Sequence, residues 1–159
     1  MKTNRSSLSF KITLIGIGVF GLLFFFWALP SIGKTIAEAY PEFAHAYLPW
    51  LALLWILAIP CYLVLFLFWQ VAKSIDVDEL FAISNSKRFI QVANLAIINC
   101  IILGVGNILF LVLNINHPSI VIGSMFIILL GIAFNSCMRF MAEIFQRGEV
   151  LQDESDLTI

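Results

Sequence analysis

The sequence predicts an all-α integral membrane protein: four transmembrane helices in an antiparallel up-down bundle, with the N- and C-termini cytoplasmic. Three observations carry the prediction. Hydrophobic residues make up 61 % of the chain and charged residues 12 %, far from the near-half apolar, quarter-charged composition of soluble domains. Phe89 to Met138 is fifty positions without Asp, Glu, Lys or Arg. Of the nine basic residues, Lys2, Arg5, Lys11, Lys73, Lys87, Arg88, Arg139 and Arg147 fall on one side of the predicted spans and only Lys34 on the other. The positive-inside rule puts the crowded side, and so both termini, in the cytoplasm.

The spans are expected at about residues 11–29, 47–72, 89–114 and 119–140, the last continuing as a helix to about 147. Residues 1–148 then form one four-helix membrane domain, and residues 149–159 an acidic cytoplasmic tail. The charge-free run breaks at Asn114-Ile115-Asn116-His117-Pro118 into two stretches of about twenty residues or more, each enough to cross ~30 Å of hydrocarbon. Trp27, Tyr40, Tyr47 and Trp50 mark the outer interface, Phe68 and Trp69 the inner one.

Span one, an uncleaved anchor, is expected to close at Pro30, because the residue before proline disfavours helical geometry. The competing secretory-signal reading fits less well, since Ile12 to Leu29 exceeds the ~7–15 residues of a signal core. An outer connector follows over Ser31 to Ala46, with a short surface helix over Thr35 to Tyr40 that ends at Pro41. Span two carries Pro60 near its centre, which removes one backbone hydrogen bond and should kink the helix. The inner connection, Lys73 to Arg88, opens with Asp76 and Glu79 at capping-box spacing. A short interfacial helix with Val77, Leu80, Phe81 and Ile83 is expected there, with Ser84 or Asn85 capping span three.

Span three places Ala93, Ala96, Cys100, Gly104, Asn107 and Asn114 on one face, and span four does the same with Ser124, Gly131, Asn135 and Met138. Small faces let helices approach closely, and in lipid each interhelical hydrogen bond adds ~1 kcal/mol. The two spans are expected to pair, with Asn94 and Asn135 at similar depth and their amides in contact. Asn94, Asn99, Asn107 and Asn135 read as packing groups; lining a polar solute path is the alternative. Beyond the membrane, Arg139, Glu143 and Arg147 recur at helical spacing and Gly148 is the expected stop.

Gly16-Ile17-Gly18-Val19-Phe20-Gly21 matches the dinucleotide fingerprint but lies in an apolar helix with no preceding strand, so helix packing is the better reading. His45 and His117 are on the outer side, while Cys61, Cys100 and Cys137 are expected to be buried and on separate helices. No metal site, cofactor or disulfide framework is expected. Ionisable residues are absent from the centres of the spans, which disfavours ion-coupled transport and intramembrane catalysis, so the protein is expected not to be an enzyme. Eight basic and eight acidic residues balance on the inner side, and direct nucleic-acid binding is not expected.

Four spans, the stretch Phe81-Ala82-Ile83-Ser84-Asn85-Ser86-Lys87 and the terminal Leu151-Gln152-Asp153-Glu154-Ser155-Asp156-Leu157-Thr158-Ile159 together resemble the YoaS-like tetraspan bacterial family of unknown function. The resemblance implies a multi-pass protein of the bacterial cytoplasmic membrane, often encoded beside a small Cro/CI-type helix-turn-helix regulator. Its implied role is to anchor or sequester that regulator at the bilayer. Leu80, Phe81, Leu151 and Leu157 would supply apolar anchors, and Asp153, Glu154 and Asp156 would complement a basic face on the partner. The competing roles are a small pore or exporter built as a homo-oligomer, and a structural membrane subunit.

Overall fold

A computed structural model describes residues 5–76 and 83–156. All secondary structure in them is helical: α1 (Arg5–Leu23), a π-helical segment (Phe24–Ala28), α2 (Leu29–Ala39), a 3-10 segment (Pro41–Ala46), α3 (Tyr47–Ile75), α4 (Ile83–Val112) and α5 (Pro118–Asp156). Four helical stretches, Ser7–Ala39, Ala44–Ile75, Ile83–Val112 and Pro118–Leu151, are long and apolar enough to cross a membrane. Ser7 meets Ala72, and Ile83 meets Glu149. The beginning of α1, the end of α3, the start of α4 and the late turns of α5 therefore share one end, here called proximal. The turns Pro41–Ala46 and Asn114–His117 mark the distal end.

The first span does not close at Pro30. It runs on to Ala39 because the five residues before α2 adopt the wider π geometry, with the Leu29 N–H reaching the Phe24 carbonyl. That register leaves room for the proline ring near the start of α2, where its missing N–H costs least. A continued π turn would direct the Phe25 carbonyl at Pro30, which has no proton to give. Trp55 of α3 supplies it instead, its indole Nε1–H donating to Phe25 O at 3.0 Å. The expected surface helix is thus the end of a longer one, and it does stop before Pro41.

The fingerprint glycines serve packing. Tyr62 of α3 donates to the Gly18 carbonyl at 3.0 Å, and a Cβ on Gly21 would stand 2.8 Å from the same hydroxyl oxygen.

α3 continues through Pro60, which is buried. Proline leaves the Ile56 carbonyl without its helical donor. On the next residue, Asn99 of α4 donates from Nδ2 to Leu57 O at 3.3 Å, with Cys61 Sγ also at 3.3 Å.

α4 ends on a left-handed residue, Asn114, with φ 56°. The Ile115 N–H bonds Phe110 O and the Asn114 N–H bonds Leu111 O, the two bonds of a Schellman cap. Its accompanying hydrophobic contact is present too, since Phe110 and Ile115 belong to one buried cluster with Leu53 and Ala46. His117 then caps α5: its carbonyl accepts the Ile120 N–H, and its ring Nδ1 accepts the Ser119 N–H at 3.3 Å.

α4 and α5 form the expected antiparallel pair, and it is the most extensive contact in the molecule. Buried or half-buried positions recur on α4 at Ser86, Phe89, Ala93, Ala96, Cys100, Leu103, Asn107 and Phe110, and on α5 at Ser124, Ile128, Gly131, Asn135, Met138, Ala142, Phe145 and Glu149. Alternating steps of three and four are the spacing of a coiled-coil seam. Asn94 and Asn135 do not bond to each other. Asn135 lies in the seam and donates to the Ala93 carbonyl at 2.7 Å. Asn94 lies outside the seam, where its Oδ1 accepts from Arg139 at 3.1 Å.

The seam also explains why α5 does not stop at Gly148. No glycine in the described residues adopts positive φ, and Gly148 is half-buried between Phe145 and Glu149, both of which face α4. The helix therefore continues to Asp156, through much of the predicted tail. The remaining packing is sequential: α1 lies on α3, α3 on α4 and α4 on α5. Among the described residues α1 does not approach α4 or α5, so the up-down helices form an open row.

Gly131 is backed by Cys100 Sγ where a side chain would start, whereas a Cβ on Gly123 meets open space. Gly131→Ala is expected to lower stability by about 1–3 kcal/mol through overpacking, measured by unfolding in detergent micelles. Cys100→Ala in the same chain should restore most of that loss, and Gly123→Ala should be neutral or stabilising.

Candidate functional site

The proximal end gathers the polar chemistry of the chain. Four phenyl rings, one from each spanning helix, run across it: Phe10 and Phe68 at 6.3 Å between centroids, Phe68 and Phe89 at 6.3 Å, and Phe89 and Phe145 at 4.8 Å. Their tilted and edge-on geometries are the favourable ones for aromatic pairs, each worth ~0.5–1.5 kcal/mol beyond area burial. Val71 and Ala142 complete this core.

Around it lies a collar of hydrogen bonds. The buried Ser7 hydroxyl donates to Ala72 O at 3.0 Å, tying α1 to α3. Lys11 forms an ion pair with Asp76 and sits 5.9 Å from the centroid of the Trp69 ring, within cation–π range. Asn85 is not the helix cap expected of it. It is fully buried, donates to Ser74 Oγ at 2.6 Å and accepts from Arg88, whose Nε also donates to Gln70 Oε1 at 3.1 Å. Ser86 donates to the Ala142 carbonyl at 2.9 Å. The exposed N–H of Ile83, in the first turn of α4, donates to the Glu149 carboxylate at 2.9 Å, a favourable place for negative charge because helix N–H groups are unpaired there.

The Lys11 hydrogen bond holds the Asp76 carboxyl below the ordinary carboxylate range. Asp76 thus joins the start of α1 to the last residue described before the α3–α4 connection.

Several residues singled out as partner-binding lie outside the described residues: Leu80 and Phe81 in the α3–α4 connection, and Leu157 after α5. Leu151 is on α5 and 66 % exposed. Asp153, Glu154 and Asp156 lie in the final turns of the same helix. Because Glu149 is level with the beginning of α4, the turns from Val150 to Asp156 reach past it. Val150, 53 % exposed, was missed by sequence reasoning; its signal was a helical register continuing through Gly148.

The asparagines proposed as packing groups are distributed along the row. Asn99 joins α4 to α3 beside Pro60, Asn135 and Asn94 join α4 to α5, and Asn107 stands at the distal end. Asn107 donates to Leu103 O at 2.9 Å and accepts from Asn116 at 3.1 Å. Asn99 Oδ1 is buried with no donor among the described residues. Among those residues no group of three or more His, Cys, Asp or Glu converges as a metal site would require.

The architecture is that of a multi-pass membrane protein whose charged groups, among the described residues, are concentrated at one end. Residues 31–159 match the family described as protein of unknown function DUF2975, and the chain belongs to that family. The match covers α2 to α5. No curated protein and no solved structure matches the chain.

With its pKa lowered in the fold, Asp76 stabilises the protein at pH above the unfolded value of ~3.9, and that contribution is lost as pH falls through the folded value. Thermal unfolding in micelles should therefore show Asp76→Asn less stable than wild type near neutral pH. The difference should close in the acid range below the ordinary carboxylate pKa. A gap that persists or widens in acid would contradict the Lys11–Asp76 assignment.

Proposed function

We propose that this protein is a non-enzymatic anchor of the bacterial cytoplasmic membrane that holds a small helix-turn-helix transcriptional regulator at its proximal end. The observation that carries the reading is the end of α5. Two helical turns project past the start of α4, with Val150 and Leu151 exposed and Asp153, Glu154 and Asp156 following.

A base is provided for them by the collar, where Glu149 is tied to Ile83 and the phenyl rings bind all four helices together. Apolar positions interleaved with acidic ones suit a partner whose own surface is basic, as a DNA-binding protein's must be. Holding that surface against acidic side chains would compete with DNA for it. Leu80, Phe81 and Leu157 would add apolar contact from the neighbouring connection and the chain end. Seven basic residues, Arg5, Lys11, Lys73, Lys87, Arg88, Arg139 and Arg147, fall toward the proximal end, which by the positive-inside rule supports a cytoplasmic side shared with the regulator. The YoaS-like resemblance, with its frequent regulator neighbour, supports the same reading.

A pore is less well supported, because Asn94, Asn99, Asn107 and Asn135 each engage a different protein group: Arg139, Leu57 O, Leu103 O and Ala93 O.

The test is capture of the regulator encoded beside this gene by the full-length protein in nanodiscs. Reversing Asp153, Glu154 and Asp156 to Lys should weaken binding by roughly tenfold or more and reduce its salt dependence. Leu151→Ala should weaken it without changing the salt dependence. Affinity unchanged by all four substitutions, or no binding by the native chain, would overturn the reading.

A further inference from the structure

At the opposite end of the molecule, the open row leaves a cavity of about 570 Å³. One wall is α2, the floor is the first two turns of α3, and the far wall is the α4–α5 turn with the beginning of α5. Among the lining residues, Ile32, Ile36, Leu51, Leu54 and Ile120 give aliphatic surface, and none is Asp, Glu, Lys or Arg. The polar groups are Tyr40, Tyr47, Trp50, His117 and Ser119. All five belong to the distal turns or the helix ends beside them, although the Tyr47 hydroxyl reaches back to the Pro30 carbonyl; Leu29 lies about three turns from Tyr40 along the first wall and Leu54 about one turn beyond Trp50 on α3. The eleven residues of α2 make that wall roughly 16 Å long.

Both walls are fastened to the floor. Tyr47 donates to Pro30 O at 3.3 Å, and its ring lies so close to Gly33 that a Cβ there would come within 2.6 Å of it. Trp50 donates from Nε1 to Ile115 O at 3.1 Å, holding the α4–α5 turn. The space is therefore built into the fold, as ligand pockets usually are, and its volume falls within their ordinary range.

We infer that this distal cavity is a binding site for a single hydrocarbon chain of an amphiphile, with the polar head held at the rim by the Tyr40, His117 and Ser119 side. Apolar walls make water a poor occupant. A helix from another chain, about 10 Å across with its side chains, is a poorer match to a space bounded on two sides by walls fastened to the floor. A hydrocarbon chain is slender enough, carries no polar group to satisfy and is the material that surrounds the helices. The absence of charged lining residues leaves the head uncommitted in charge. The chain comes either from a bilayer phospholipid or from a free fatty-acid-like amphiphile. The site is remote from the α5 projection and does not depend on the anchoring role.

The test uses the full chain in phosphatidylcholine vesicles doped with one of two photoactivatable probes, a phosphatidylcholine or a free fatty acid, each with a diazirine on the chain. After irradiation, adducts are mapped by peptide mass spectrometry. Leu51 is only 8 % exposed, whereas Phe126, 63 % exposed on α5, is open to bulk lipid. Labelling is expected at Leu51 and Leu54 as well as at Phe126. Ala37→Trp, filling the space from α2, and Ile120→Trp, filling it from α5, should each abolish the Leu51 and Leu54 adducts and leave Phe126 labelled. Adducts from the phospholipid probe alone identify a bilayer lipid as the source, and adducts from the fatty acid alone a free amphiphile. No labelling of Leu51 and Leu54 by either probe overturns the inference, as does labelling that survives both substitutions. The native chain alone supplies the first of these outcomes, so the inference stays falsifiable if a tryptophan variant fails to fold.

Discussion

A backbone carbonyl without a donor costs several kcal/mol in hydrocarbon, where no water can replace the missing proton. At Pro30 and at Asn114 the chain meets that constraint with a side chain from a neighbour or with a local cap. The gap left by Pro30 is met by a π turn and the Trp55 indole. At Pro60 the freed carbonyl is that of Ile56, and the Asn99 amide bonds the adjacent Leu57 O, joining α4 to α3 there. At Asn114 the chain takes left-handed geometry and closes a Schellman cap. The tyrosines follow the same logic, using the carbonyls of Gly18 and Pro30 to place their hydroxyls. Satisfying the backbone and joining the helices are therefore largely the same set of contacts.

Those contacts produce two unlike ends. At the proximal end the α4–α5 seam, the phenyl rings and the hydrogen-bonded collar converge, and α5 emerges from them as a continuous helix. At the distal end α2 and the α4–α5 turn are each fastened to α3 but do not reach each other, so an apolar space remains between them. One end thus presents charge and exposed apolar residues on a firm base, and the other encloses hydrocarbon surface. A protein holding a soluble partner at one face and a lipid chain near the other is consistent with this asymmetry, and it needs no charged group at the centre of a span.

Much of the fold was legible because bilayer thickness and charge placement constrain a hydrophobic chain strongly. The four spans and the turn at Asn114 to Pro118 were readable from the apolar runs and their break, and the small faces of α4 and α5 from helical periodicity. Pro30 misled because the rule that proline ends a helix assumes α geometry, and a π segment relaxes it. Gly148 misled because a glycine is a stop only where the chain leaves the helix, and the Phe145 and Glu149 contacts keep it in. Asn94 and Asn135 were placed at the right depth, but side-chain direction around the helix decides contact, and theirs diverge. The apolar cavity had no sequence signal at all, since it arises from the open packing order of the row. Of the expected partner residues, Leu151 and the acidic positions proved to be on a helix, while Leu80, Phe81 and Leu157 lie outside the described residues.

The claim that neighbouring side chains complete the broken backbone is tested most directly at Phe25. A 13C=18O label on that one carbonyl, introduced by semisynthesis, isolates its infrared stretch from the rest of the protein in bilayers. If Trp55 donates to it, Trp55→Phe moves the band to the higher frequency of an unbonded carbonyl, while Trp50→Phe leaves it in place. A band that does not move on Trp55→Phe, or that already lies at the unbonded frequency in the native chain, would contradict the account.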